Sequence, residues 1–284
     1  MPVQLSQPSE SSSFNLAEVE AAIASTQFAG HLHHLASTPS TNDLARQAAE
    51  SSARHGVWIA DEQTAGRGRG AHTWHSEPGA GLYMTALIAP PIPMQSALRL
   101  SFTTAIAAQS AICSVFGFER PAEIDIRWPN DLILNGRKVG GILIDTASKP
   151  AAPPLPAMLR YAIVGIGINL NHTSFPPELE PIATSLRREL EDDTKCRREP
   201  LAAAILVALD EELQRLTSNL EPRTLNLAAY STWLTGKRVR VEGREGEPGG
   251  YTGTTAGLDS NGFLRVLGDD GQLHTVLSGG LREP

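Results

Sequence analysis

Residues 124 to 145 constrain this chain more than any other stretch. Leu132-Ile133-Leu134 and Arg137-Lys138-Val139 are strand-forming runs on either side of Asn135-Gly136. Asn-Gly tolerates the positive φ values that a two-residue hairpin requires, so a tight antiparallel turn is expected at this point. Strand signals continue on both sides, from near Ile124 to Asp145, and the turn therefore commits this part of the chain to a sheet.

Further strands are expected over residues 31 to 36, 57 to 61, 82 to 88 and 161 to 168. Helices are expected near 14 to 26, from Ser40-Thr41-Asn42 to about Arg54, over 98 to 116, over 201 to 216 and over 225 to 233. Ser40 or Thr41 can cap the second of these through its hydroxyl. Leu98, Phe102, Ile106, Ile112 and Phe116 follow a helical period in the third, which Gly117 is placed to end. Residues 149 to 157, rich in Pro and Ala, read as a loop. After Gly236 the pattern becomes short β segments, 237 to 241, 251 to 258, 263 to 267 and 273 to 277, with Asn261-Gly262 as a hairpin. This pattern is a run of strands and helices followed by a small barrel. The expected domains are a tail and helix over 1 to 30, a large domain over 31 to 235 and a β domain over 236 to 284, with 1 to 13 disordered.

Composition excludes several classes. A formal charge of −7 and a pI near 5.6 argue against a nucleic-acid partner, which needs a clustered basic surface. No apolar run approaches the roughly 18 to 20 residues of a membrane span, and Met1 to Ser13 has no signal-peptide pattern, so a cytoplasmic protein is expected. Cys113 and Cys196 sit in no ligand spacing, and Cys113 is expected to be buried as a small hydrophobe. His31, His33 and His34 lack Cys, Asp or Glu at metal spacing, which argues against a metal site there.

Three segments can carry chemistry. In Gln63-Thr64-Ala65-Gly66-Arg67-Gly68-Arg69-Gly70, glycines permit close approach to a ligand and two arginines offer planar donors to phosphate, but a solvated surface loop fits equally. It is not a Walker A loop, because the Gly-Lys-Ser/Thr ending is missing. Arg127-Trp128-Pro129-Asn130-Asp131 leads into Lys138, Gly140 and Gly141; strand alternation would put Lys138, Gly140, Ile142 and Ile144 on one face. Lys138 there reaches a bound anion or is merely a solvated hairpin lysine. In Gly165-Ile166-Gly167-Ile168-Asn169, one face is apolar and the other a bare glycine floor, open to a flat ligand or to close packing.

In this order, and with Ser40-Thr41-Asn42 and Lys138-Val139-Gly140-Gly141-Ile142-Leu143, these motifs closely resemble the biotin protein ligases over about residues 31 to 284. The resemblance implies an α+β fold: a catalytic domain with a mixed sheet backed by helices, related to class II aminoacyl-tRNA synthetases, and an SH3-like C-terminal barrel. It further implies two steps: biotin and ATP give biotinyl-adenylate, and the acyl group passes to a lysine of a biotin carboxyl carrier domain. ATP with Mg²⁺ is the expected co-substrate, the ion bridging phosphates. Lys138 and Arg69 are the implied catalytic residues. Ser40, Thr41, Asn42, Gln63, Gly66, Arg67, Gly68, Arg69, Lys138, Gly141, Gly165 and Gly167 are the implied biotin and adenylate contacts, and Asn130, Asp131 and Asn169 lie near nucleotide and metal. The Gly/Arg loop is expected to order over bound ligand.

Departures from the family pattern are visible. Gly70-Ala71-His72 follows Arg69 where many members continue basic, and Arg127 stands where Lys is common. Only 39 residues precede Ser40, too few for the roughly 50 that a separate DNA-binding domain needs, so a ligase without repressor function is expected. Both monomer and homodimer remain open.

Overall fold

β3 (Gly81–Ile88) and β7 (Met158–Asn169) are paired antiparallel at the centre of a seven-stranded sheet. The computed structural model describes residues 14–70, 72–150, 156–190, 195–218, 229–242, 250–277 and 279–284. With β1 (Leu32–Leu35), β2 (Gly56–Ala60), β4 (Ile124–Arg127), β5 (Asp131–Leu134) and β6 (Arg137–Lys149), the order is β1-β2-β3-β7-β6-β5-β4. Only β1 and β2 run parallel; the other neighbours are antiparallel. The sheet is therefore mixed, as expected.

Strand alternation divides the sheet into two unlike faces. Val57, Ile59, Leu82, Met84, Ala86, Ile142, Val164, Ile166 and Ile168 point into the main core. That core is closed by α3 (Ala97–Phe116) and α5 (Arg198–Thr217), which pack on each other, with α1 (Leu16–Ala22) at the β1 end. α3 is buried through most of its length because it lies between the sheet and α5. Gly117, at φ 78, ends it in the left-handed region. On the opposite face α2 (Thr41–Glu50) sets Ala45 and Ala49 over Leu87 and Ile163, a small second cluster. Beside it the second face carries Gly141, Gly165 and Gly167.

The hairpin forms as expected, with Asn135 at φ 48 and Gly136 at φ 80. One consequence of its register was not legible in simple alternation. Ile133 pairs with Lys138 but Leu132 pairs with Gly140, so Val139 is the extra residue of a β-bulge. The bulge reverses the faces beyond it. Lys138 shares a side with Gly141, while Gly140 points at Ile168 and Leu132 in the core, contrary to the expected Lys138, Gly140, Ile142 and Ile144 face.

Other expectations need correction. α2 stops at Glu50 rather than near Arg54, because Ser52 turns into positive φ and Arg54 donates to the freed carbonyls of Ala49 and Ala53. Ser40 occupies the N-cap position without a side-chain cap bond, and the Thr41 hydroxyl is used elsewhere. The expected helix over 225 to 233 falls largely outside the described residues, and its described part, from 229 on, forms turns rather than an α-helix. The tail over 1 to 13 and most of the loop over 149 to 157 also lie outside them. Cys113 is only partly buried, and Cys196 is the buried thiol.

The C-terminal strands β8 (Thr235–Val241), β9 (Tyr251–Leu258), β10 (Leu264–Gly268), β11 (Leu273–Val276) and β12 (Leu281–Arg282) form an antiparallel sheet ordered β11-β10-β9-β8-β12. This is consistent with an SH3-like domain, but no pairing between β11 and β12 closes it into a barrel among the described residues. Asn261-Gly262 lies in a longer loop than a two-residue turn: the Asp259 carboxylate accepts from the N–H of Asn261 and of Phe263, both at 2.9 Å. The loop reaches the large sheet, where Trp128 Nε1–H donates to Gly262 O.

Because Gly136 holds positive φ in the turn that precedes the bulge, Gly136→Val should destabilise the protein by about 1–2 kcal/mol. A shift of the urea midpoint at constant m-value measures it; no shift would mean that the turn does not hold the register.

Candidate active site

The bulge at Val139 is what brings Lys138 to the second face of the sheet. Its ammonium lies 2.6 Å from Asp131 Oδ1, and Arg127 Nη2 lies 2.7 Å from Asp131 Oδ2. Burial opposes ionisation of Asp131, but Lys138 and Arg127 together outweigh it and hold the carboxyl below its usual range. Truncation of the Lys138 side chain would spare its backbone bonds to Ile182 O and Thr184 N.

Above this pair lies the glycine strip. Gly141 is opposite Gly167 across β6 and β7. It is not bare. The Trp74 indole lies over it: a Cβ on Gly167 would come within 2.6 Å of the ring, and a Cβ on Gly141 within 3.1 Å. Lys138 Nζ stands 5.6 Å from the Trp74 ring centroid, a cation–π arrangement. Gly165 is covered in turn by the Asn42 amide, at 2.3 Å from such a Cβ. The glycines thus serve close packing by side chains of this chain, and a flat ligand would have to displace Trp74.

The start of α2 forms the far wall. Thr41 donates to Gln63 Oε1 from both its N–H (2.9 Å) and its hydroxyl (3.0 Å). Thr85, on β3, has its Oγ1 2.7 Å from Thr41 Oγ1 and 2.6 Å from Asn42 Oδ1. Ser40, Thr41, Asn42 and Thr85 are all buried. Two donors next to the strip have no partner among the described residues, Asn42 Nδ2 and Trp74 Nε1. A buried donor without a partner costs about 1–3 kcal/mol, and two of them over adjacent glycines mark a place suited to a ligand with acceptor atoms.

The Gly/Arg loop is ordered as a short hairpin. Trp74 N–H donates to Gly66 O at 2.9 Å and Gly68 N–H to His72 O at 2.8 Å. Gly66 is needed for this approach, since a Cβ would sit 2.7 Å from the Trp74 carbonyl oxygen. The two arginines part company. Arg67 turns to Asp43 (3.2 Å) and Asp145 (3.3 Å), with Arg46 also on Asp145. Arg69 donates to Gly279 O of the C-terminal sheet at 2.6 Å. Burial pulls its guanidinium below the ordinary range, and the Asp131 carboxylate acts against that, so Arg69 stays in the field of the Lys138 pair.

Asn130 and Asn169 serve the backbone: Asn130 Nδ2 donates to Ile142 O at 2.7 Å and Asn169 Nδ2 to Thr184 O at 3.0 Å. Asp131 is engaged by two cations. In this structure Asn130 and Asn169 are thus committed to backbone carbonyls and Asp131 to Lys138 and Arg127.

The structure therefore brings together Lys138, Asp131, Gly141, Gly167, Gly165, Asn42, Thr41, Gln63 and Ser40. It leaves Arg67 outside this group and Arg69 at its edge. Sequence reasoning passed over Trp74 and Thr85. Their signals were a lone large aromatic in a loop of small polar residues and a Thr inside the apolar run of β3. The groove of about 280 Å³ lined by Val115, Phe116, Leu190 and Cys196 contains none of these residues.

The match to known proteins follows the same segments. Residues 34–169 match the biotin/lipoate A/B protein ligase family, and 234–279 match the biotin protein ligase C-terminal domain. The bifunctional ligase/repressor of Bacillus subtilis is 32% identical over 236 residues, 82% of this chain and 68% of that protein. The chain belongs to the biotin protein ligase family. Another relative, the biotin–[acetyl-CoA-carboxylase] ligase of Mycobacterium tuberculosis, is 30% identical over 243 residues, 84% of this chain and 80% of that one. Among solved structures, the Aquifex aeolicus biotin protein ligase in complex with biotin and ATP shares the fold, with TM-score 0.69 at 24% identity over 90% of this chain and 100% of that one. The Leishmania major ligase in complex with biotinyl-5-AMP matches with TM-score 0.57 at 25% identity, over 88% and 99%. As in this family, the catalytic fold here is followed by the small β domain, and among the described residues no helix is long and apolar enough to cross a membrane.

Two outcomes are expected. Gly165→Ala should push Asn42 off Thr85 and weaken biotin binding more than it weakens the fold; calorimetric titration beside a denaturation curve separates the two. Asp131 is ionised more readily folded than unfolded. Its contribution is thus present above the unfolded value, 3.8, and lost as pH falls through the lower folded value. Asp131→Asn should flatten the acid limb of the stability–pH curve, and an unchanged limb would contradict the pairing.

Proposed function

We propose that this biotin ligase activates biotin with ATP as biotinyl-5'-adenylate and passes the acyl group to a lysine of a biotin carboxyl carrier domain. The observation that carries this reading is Lys138. A bulge sets it beside the glycine strip, where the Asn42 Nδ2 and Trp74 Nε1 donors have no partner among the described residues.

Joining a carboxylate to the α-phosphate brings two anions together. One cation at 4 Å contributes about 4 kcal/mol at an effective dielectric near 20, roughly a thousandfold in rate if felt only in the transition state. Lys138 has three donors and spends one on Asp131, so others remain for an oxygen of the reacting groups. Asp131 holds the ammonium in place, and Arg127 keeps Asp131 charged. The Thr41, Asn42, Gln63 and Thr85 network offers hydroxyl and amide partners for the ureido carbonyl and N–H groups of biotin. Mg²⁺ on the phosphates would add charge neutralisation.

The Trp74 hairpin is the lid. It moves off the glycines to admit biotin and closes again over the adenylate, which shields the mixed anhydride from water. Arg69 and Arg67 ride on it, and closure on ligand is what would bring their charge toward phosphate. A cytoplasmic setting suits a carrier protein as partner.

Incubation with biotin, ATP-Mg²⁺ and an apo carrier domain, followed by detection of attached biotin, tests the reaction. Tight biotin binding without adenylate formation would overturn it. Lys138→Ala should lower adenylate formation about a thousandfold with the fold intact by circular dichroism; near-normal adenylation would remove Lys138 from the chemistry. Biotin with a non-hydrolysable ATP analogue should protect residues 64–76 from proteolysis, and equal cleavage at saturation would argue against a lid.

A further inference from the structure

The lid ends in a cluster that the ligase reaction does not use. His75, Glu77 and His172 place one ligand atom each within 4.8 Å of one another. His75 follows Trp74 directly, Glu77 lies two residues on, and His172 stands in the chain that leaves β7. His172 is fully buried, and its Nδ1 has no partner among the described residues.

The surroundings already fix this histidine. Its Nε2 is 3.4 Å from the Tyr83 hydroxyl, its carbonyl accepts from Ser185 Oγ at 2.7 Å, and its ring stacks on Phe175 with centroids 5.0 Å apart. Tyr83 is in turn bonded to the backbone of Glu77, accepting from its N–H at 3.0 Å and donating to its carbonyl at 3.1 Å. A hydroxyl on the second ring nitrogen is the kind of support that orients a metal-ligating imidazole. His75 is partly exposed and Glu77 exposed, which provides a way in for an ion.

We propose that His75, Glu77 and His172 form a binding site for a divalent ion of the zinc class, clamping the lid to the end of β7. Two imidazoles and a carboxylate with an open fourth position is a donor set that zinc accepts. Bonds of about 2.0–2.1 Å imply ligand separations near 3.4 Å, so the three ligand atoms, now within 4.8 Å of one another, draw together around an ion. An ion held there ties the Trp74 hairpin down on the glycine strip and opposes its opening.

The test uses the full chain without biotin or ATP, so its result is independent of the ligase reading. Equilibrium dialysis against Zn²⁺, and the visible spectrum after Co²⁺ addition, are compared for the native chain, His75→Ala and Glu77→Gln. These two side chains are not buried, and circular dichroism verifies that both variants fold. The expected result is one ion per chain with four-coordinate cobalt bands, affinity at least about 10-fold to 100-fold lower in both variants, and metal-dependent protection of residues 64–76 from protease in the native chain only. No stoichiometric binding by the native chain, or equal binding by His75→Ala, would overturn the proposal.

Discussion

The arrangement depends on the missing side chains of Gly141, Gly165 and Gly167. A Cβ on Gly165 would stand 2.3 Å from the Asn42 amide and one on Gly167 2.6 Å from the Trp74 ring, so neither side chain could keep its place; a Cβ on Gly141, at 3.1 Å, would crowd Trp74 less. Antiparallel pairing sets Gly141 opposite Gly167, so the gap in side chains spans two neighbouring strands. Leu143 lies opposite Gly165 on the same face, and the apolar residues between them all point the other way, into the core under α3 and α5. One sheet thereby supplies both a firmly packed support and a smooth working surface.

Electrostatics is organised around the same strip. Asp131 is a largely buried carboxylate that stays charged because two cations, Lys138 and Arg127, flank it. The arginines of the Gly/Arg loop are engaged elsewhere, Arg67 on the acids of α2 and β6 and Arg69 on the C-terminal sheet. Such partly exposed contacts are weak, of about 0–1 kcal/mol each. The contact from Arg69 to Gly279 joins the Gly/Arg loop to the small β domain.

Much of this was legible in the chain. The hairpin at Asn135-Gly136, the end of α3 at Gly117 and the strand carrying Gly165 and Gly167 follow from local conformational preference, which neighbours in sequence decide. The motifs from Ser40 to Asn169 were enough to indicate the family. Less legible were the stop of α2 at Glu50, where Ser52 rather than glycine takes the left-handed turn, and the loop at Asn261-Gly262, where an Asp259 carboxylate sets the geometry.

By itself the sequence determined which residues could form strands and turns and which segments lacked side chains, because those are properties of a few adjacent residues. Tertiary structure alone decided the face on which Lys138 emerges, since a bulge depends on register with the partner strand. It alone decided what covers the glycines, since Trp74 and Asn42 reach them from 93 and 123 positions away in the chain, counted back from Gly167 and Gly165. Such contacts are selected by the packing of the whole sheet, and no local pattern encodes them.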